Sequence, residues 1–207
     1  MEKNVSRTRK LVLTAALSAL IIVLGITKLG LIPLGPAASI TILHVPIILA
    51  ACLCGLPSAL FTGAVFGIMS LVQAAMSPSG VLDPLFVNPL CSVLPRMLTG
   101  LVAWALWFAF NKLPKLPKTV STGITAFLST VCHTLMVIGC LYIFAGAATR
   151  EGMGGMGYFA VIGVLAPQAA LEALAATIIC VAVFLGLFVS NKRKSKLSQE
   201  TDRSNAL

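Results

Sequence analysis

The sequence predicts an all-α membrane protein of six transmembrane helices with both termini in the cytoplasm. Three observations carry this prediction. Hydrophobic residues fill 58% of the 207 positions and charged residues only 10%, more apolar surface than a soluble domain of this length can enclose, so lipid must serve as its solvent. The apolar residues fall in runs near the roughly 20 residues a spanning helix needs, without the alternation of a membrane barrel. The basic residues are unevenly placed: four lie in the N-terminal tail, three in the stretch 112–118 and five in the C-terminal tail, twelve of the fifteen Lys and Arg. An excess of Lys and Arg marks cytoplasmic segments, so both tails lie inside and the number of crossings is even.

The elements follow in order. Residues 1–10 form a basic cytoplasmic tail, 11–190 a six-helix membrane domain and 191–207 a second cytoplasmic tail. The first span is 11–26. A basic start before an apolar run has the outline of a secretory signal, but no small-residue cleavage site follows and more spans do, so it reads as a retained helix. Residues 28–39 form a loop with Gly30, Pro33, Gly35 and Pro36. The second span, 40–54, is short and interrupted by His44 and Pro46, and Gly55-Leu56-Pro57 makes a tight turn after it. The third span is 58–76, followed by a loop at 77–88 with Pro78, Gly80, Asp83 and Pro84. The fourth is 89–110, then the basic loop 112–118 with Pro114 and Pro117. The fifth is 120–145, followed by a Gly-rich loop at 146–157, and the sixth lies within 159–190. Given the parity, the loops at 28–39, 77–88 and 146–157 face outward. No internal repeat is present, which weighs against a carrier built from inverted halves.

Composition and missing motifs exclude several functions. The net charge of +9 sits in two tails and one loop rather than on a soluble face, so no nucleic-acid partner is expected. The six cysteines lie mostly in apolar runs and read as small buried hydrophobes. Cys52-x-Cys54 has no second ligand pair at zinc spacing, so neither a metal nor any other cofactor is expected. There is no G-x-x-x-x-G-K-[ST] loop for ATP, no G-x-S-x-G, no H-E-x-x-H and no ion-selectivity filter, and the chain is not expected to be an enzyme.

The polar residues inside the spans are the functional question, because each is costly there. Asn88, Ser92 and Arg96 sit at i, i+4 and i+8 on the fourth helix, as do Thr125, Ser129 and His133 on the fifth. Gln168 and Glu172 are one turn apart on the sixth. Residues four apart share a helix face. With a rise of about 1.5 Å per residue, Arg96 lies roughly 14 Å below the outer surface, with Gln168 at similar depth and Glu172 slightly below it. The faces predict one polar chamber open to the outside, formed by Arg96, His133, Gln168 and Glu172. A plainer reading stands beside it, in which Arg96 and Glu172 pair with each other. His133 is equally an interhelical bridge or a ligand contact. Asn88, before Pro89, reads first as a helix N-cap, and His44 is either structural or a lid contact. Small-residue strips at Ala15-x-x-x-Ala19 and Gly63-x-x-x-Gly67 permit close helix packing.

These features together resemble the substrate-binding membrane subunit, or S component, of the energy-coupling factor transporters that take up vitamins in bacteria. The resemblance covers residues 7–190. It rests on Arg9-Lys10-Leu11 through Ala15, Leu17 and Ala19; on Ile32-Pro33-Leu34-Gly35-Pro36; on Thr41-Ile42-Leu43-His44-Val45-Pro46-Ile47; on Gly63-Ala64-Val65-Phe66-Gly67; and on Val93-Leu94-Pro95-Arg96. It implies six helices with both termini inside, and a vitamin pocket on the outer side of the bacterial plasma membrane. It implies docking of Ala15 and Ala19 on a transmembrane coupling subunit that works with two cytoplasmic ATPases. With the polar faces described above, the candidate substrate-binding residues are Arg96, Glu172, Gln168, His133, Asn88 and His44, with 33–44 as a lid. The stretch 43–46 with Pro95-Arg96 looks most like the pantothenate branch, with hydroxymethylpyrimidine and pyridoxine branches as alternatives. Outside the resemblance, a stand-alone carrier using Arg96 and Glu172 in a proton path remains open, as do an intramembrane acid–base enzyme and a purely structural membrane protein.

Overall fold

A computed structural model describes residues 7–33, 39–78, 82–114 and 116–204, with side chains for 7–30, 41–78, 82–114 and 116–187. The protein is an all-helical bundle with one short ribbon. Its long helices are α1 (Arg7–Ile26), α3 (Leu56–Met76), α4 (Pro89–Asn111), α5 (Lys118–Phe144) and α7 (Tyr158–Ser204). Between them lie the strands β1 (Leu31–Pro33) and β2 (Ser39–Thr41), the short helix α2 (Val45–Leu53), a 3-10 turn (Asp83–Val87) and the small helix α6 (Gly146–Gly152). The strands pair antiparallel, Leu31 opposite Thr41 and Pro33 opposite Ser39.

Five helices among the described residues are long and apolar enough to cross a membrane: α1, α3, α4, α5 and the stretch Tyr158–Leu187 of α7. The sixth expected span, 40–54, falls short of that length. Its helical part, α2, has nine residues, about 14 Å at the α-helical rise. Pro46, which has no backbone N–H, sits in its first turn, and Gly55 at φ 98° closes it. Every residue from Val45 to Ala51 is buried. The run is apolar because it is the protein's own core, a distinction that hydropathy does not make. At the other end, α7 continues as helix through Ser204, across most of the expected tail at 191–207. Part of the expected loop at 146–157 is the helix α6, tied back where the Thr149 hydroxyl donates to the Leu141 carbonyl at 3.0 Å.

Helix directions follow from a few contacts. Thr14 and Ser58 share a 2.8 Å hydrogen bond near the starts of α1 and α3. Gln73 donates to the Gly25 carbonyl near their ends. The two helices are therefore parallel, and residues 27–55 carry the chain back to the end of the bundle where it began. The thiol of Cys91 lies 3.8 Å from the Cys140 carbonyl, so α4 and α5 are antiparallel. Tyr158 reaches the Leu135 carbonyl while Gly123 abuts Val181, so α5 and α7 are antiparallel too. The start of α1 and residue 187 of α7 thus lie at the same end.

The closest helix contact is between α3 and α4, and glycine makes it possible. A methyl at Gly63 would sit 2.6 Å from the Arg96 carbonyl oxygen, and one at Gly67 would sit 2.5 Å from the Val93 Cα. On α4, a methyl at Gly100 would lie 2.6 Å from the Ala59 carbonyl oxygen. In lipid, where apolar burial drives helix association weakly, such close approach supplies the packing energy. The Ser92 hydroxyl, which donates to the Gly67 carbonyl at 2.7 Å, adds a hydrogen bond across the same seam.

Gly63→Ala and Gly67→Ala are expected to destabilise the protein by about 1–3 kcal/mol each, because backbone must shift to admit the methyl. Gly163→Ala on α7, where nothing lies within 4 Å, is expected to leave thermal unfolding in detergent unchanged or slightly raised.

Candidate functional site

A cavity of about 220 Å³ opens between α3, α4, α5 and α7. It lies toward the end of the bundle opposite the start of α1. Lys28 after α1, Thr41 at the end of the ribbon, Leu43 just beyond it, and Leu82, Asp83 and Phe86 at the 3-10 turn complete its wall. Of the residues expected in a polar chamber, Arg96, His133, Gln168 and Glu172 all line this cavity. Three helices that are separate in sequence bring them together.

Arg96 is placed by local chemistry. Pro95 interrupts α4, and lacking an N–H it cannot bond the carbonyl four residues earlier, that of Cys91. The Arg96 guanidinium takes up that carbonyl instead, Nη1 donating at 2.9 Å. Its Cζ lies 4.6 Å from the centre of the Phe86 ring and 5.5 Å from that of Phe66, within the range of cation–π attraction. The side chain is 6% exposed, and Nε has no hydrogen-bond partner. Among the described residues no ion pair joins Arg96 to Glu172, so the plain pairing reading is not realised. Glu172 is otherwise engaged: its Oε1 accepts the backbone N–H of Thr41 at 2.7 Å and the Gln168 amide at 3.4 Å.

His133 is 6% exposed and neither of its ring nitrogens has a hydrogen-bond partner. Its ring stacks on that of His44, centroids 5.4 Å apart. His44 is fully buried, bonds Thr130 Oγ1 through Nε2 at 3.0 Å and does not line the cavity. It therefore sits behind His133 rather than in contact with the cavity, because α2 starts immediately after it and carries it into the core. Asn88 also stands apart. Its Oδ1 accepts from the Leu90 N–H at 3.0 Å, capping α4, as its place before Pro89 suggests. Thr125 and Ser129 are buried below the cavity without lining it. Ala15 and Ala19 are exposed on the outer face of α1. Of the expected lid, 34–38 lie outside the described residues. Sequence reasoning missed Phe66, Phe86 and Thr41. An aromatic in an apolar run carries no signal of its own, and Thr41 contributes a backbone N–H, which every residue but proline has.

A multi-helix bundle with an open cavity, a buried cation and a few convergent polar groups has the form of a membrane-embedded small-molecule binding protein. Residues 9–184 match the family described as ECF transporter, substrate-specific component, and the chain belongs to that family. It is a family of transporter components rather than of enzymes, and the chain is a multi-pass membrane protein. The chain is 31% identical over 141 residues to the pantothenate transporter PanT of Leuconostoc mesenteroides, covering 64% of this chain and 68% of that protein. It is 22% identical over 156 residues to the pantothenic acid transporter PanT of Lactococcus lactis, covering 69% and 74%.

Asn88→Ala is expected to cost about 1 kcal/mol of stability through loss of the cap while leaving ligand affinity unchanged. Paired melting and binding curves on the same preparation check this.

Proposed function

We propose that this chain captures pantothenate from outside the cell and delivers it to an ATP-driven importer. The observation that carries the choice of ligand is Arg96, a guanidinium buried at the cavity wall without a carboxylate partner among the described residues. A bound carboxylate supplies the missing anion, and the planar fork of Arg suits it. Both relatives bear the name of a pantothenate transporter. At about 220 Å³ the cavity lies below the ~300 Å³ lower end of drug-sized sites, which suits a single flexible chain better than a fused-ring vitamin. His133 and Gln168 face the remainder of the ligand. Hydroxymethylpyrimidine and pyridoxine have no carboxylate to offer Arg96.

Orientation and partners follow the same reading. The shared end of α1 and α7 carries the basic tails and is cytoplasmic, so the cavity opens outward from the bacterial plasma membrane. Trp104, Trp107 and Phe108 lie near the inner end of α4, with Lys112 Nζ 4.2 Å from the Phe108 ring centre. This combination suits the membrane interface. The chain has no phosphate loop of its own, so energy comes from a coupling factor: a transmembrane subunit docked on the exposed Ala15 and Ala19 strip, with two cytoplasmic ATPases. The loaded subunit then topples in the membrane to release its ligand inside. The stand-alone carrier reading loses its main support with the absent Arg96–Glu172 pair.

The test is equilibrium binding to purified protein stripped of ligand, with pantothenate, its neutral alcohol analogue pantothenol, hydroxymethylpyrimidine, pyridoxine and riboflavin. Pantothenate is expected to bind one to one, and pantothenol at least about thirtyfold more weakly, the effect of removing one partner of a buried charge pair. Arg96→Ala should lose the same factor for pantothenate and little for pantothenol. Equal binding of acid and alcohol by the wild-type protein, or tight binding of pyridoxine, would sink the assignment.

A further inference from the structure

Glu172 belongs to the cavity wall, yet its Oε1 is committed elsewhere. It accepts the backbone N–H of Thr41 at 2.7 Å, joining α7 to a residue 131 positions earlier in the chain. Thr41 is the last residue of β2, paired with Leu31. Two residues on, Leu43 is 1% exposed, lines the cavity and packs against Gly30, where a methyl would come within 2.8 Å of its Cγ. His44 then fastens the segment to α5 through Thr130 Oγ1 at 3.0 Å and through the stack on His133. Residues 41–44 thus form a strap across one side of the cavity, held to α7 at one end and to α5 at the other.

A carboxylate can only accept hydrogen bonds, and a backbone N–H removed from water needs an acceptor. The Thr41 N–H and Glu172 Oε1 satisfy each other, and Gln168, donating from one turn away at 3.4 Å, helps orient the carboxylate. Engaged in this way, Glu172 is turned toward the strap, and among the described residues it makes no ion pair with Arg96. We infer that Glu172 is a positioning residue that latches the 41–44 strap across the cavity, setting how long the ligand stays rather than which charge it carries. This inference rests on the reading of the cavity as the ligand pocket, but the latch itself is measurable without any ligand.

The experiment has one ligand-free arm and one ligand-bound arm on the full chain in detergent. Without ligand, Glu172→Ala is expected to speed amide hydrogen exchange in a peptide covering 39–44 by about tenfold or more, the effect of losing a hydrogen bond to a charged acceptor. Glu172→Gln, which keeps an acceptor oxygen, should stay near wild type. With pantothenate, Glu172→Ala should raise the dissociation rate by a similar factor while preference for pantothenate over pantothenol is kept. Thr41→Pro removes the donor and leaves Glu172 intact. It should reproduce the fast dissociation, and serves if Glu172→Ala does not fold. Exchange at 39–44 as slow in Glu172→Ala as in wild type would overturn the latch. So would a Glu172→Gln variant that exchanges slowly but loses pantothenate preference, since the carboxylate would then act on the ligand by its charge. If the wild-type protein binds no pantothenate, the ligand assignment fails while the exchange arm still decides the latch.

Discussion

Much of this structure depends on keeping a guanidinium inside an apolar bundle. An unpaired charge removed from water is costly, and Arg96 is stabilised without a carboxylate. The proline before it frees the Cys91 carbonyl, which the guanidinium then takes as a hydrogen-bond acceptor at 2.9 Å. Two phenyl rings flank the cation. Neither device neutralises the charge, so the guanidinium remains cationic at the cavity wall. An Arg96–Glu172 ion pair would have offset that charge.

Holding Arg96 at this place in turn requires α4 to lie against α3. The Arg96 carbonyl is the atom that a methyl at Gly63 would meet, so the turn carrying the guanidinium is itself a point of backbone contact. Small residues serve two purposes on different surfaces. Gly63, Gly67 and Gly100 face inward and set the α3–α4 distance. Ala15 and Ala19 face outward on α1, where a smooth strip is available to another helix. The spacing is the same in both cases, and only the direction each helix faces separates them.

One side of the cavity between these helices is closed by the part of the chain that is least regular. Between α1 and α3 the polypeptide returns through a ribbon, four strap residues and a nine-residue helix. A long helix could make the same return, but it would present side chains on all sides and leave no free N–H beyond its first turn. Ending β2 at Thr41 leaves a backbone donor for Glu172. Starting α2 after His44 places that imidazole in the core behind His133. The two polar contacts of the strap thus come from where its neighbouring elements stop and start.

By itself the sequence determined the membrane setting, four of the long helices nearly to their ends, the basic distribution and the four cavity-lining groups Arg96, His133, Gln168 and Glu172. These were legible because a charge or amide in an apolar run is rare, and because a period of four places residues on one helix face. The tertiary structure decided what hydropathy and spacing do not encode. The run at 40–54 is apolar because it is wrapped by protein, and composition does not distinguish a protein core from lipid. His44 supports His133 instead of meeting the cavity, because α2 starts directly after it. Glu172 accepts a backbone N–H instead of pairing with Arg96, since partner choice depends on distances across the bundle. Phe66 and Phe86 matter only because folding brings both rings to one guanidinium.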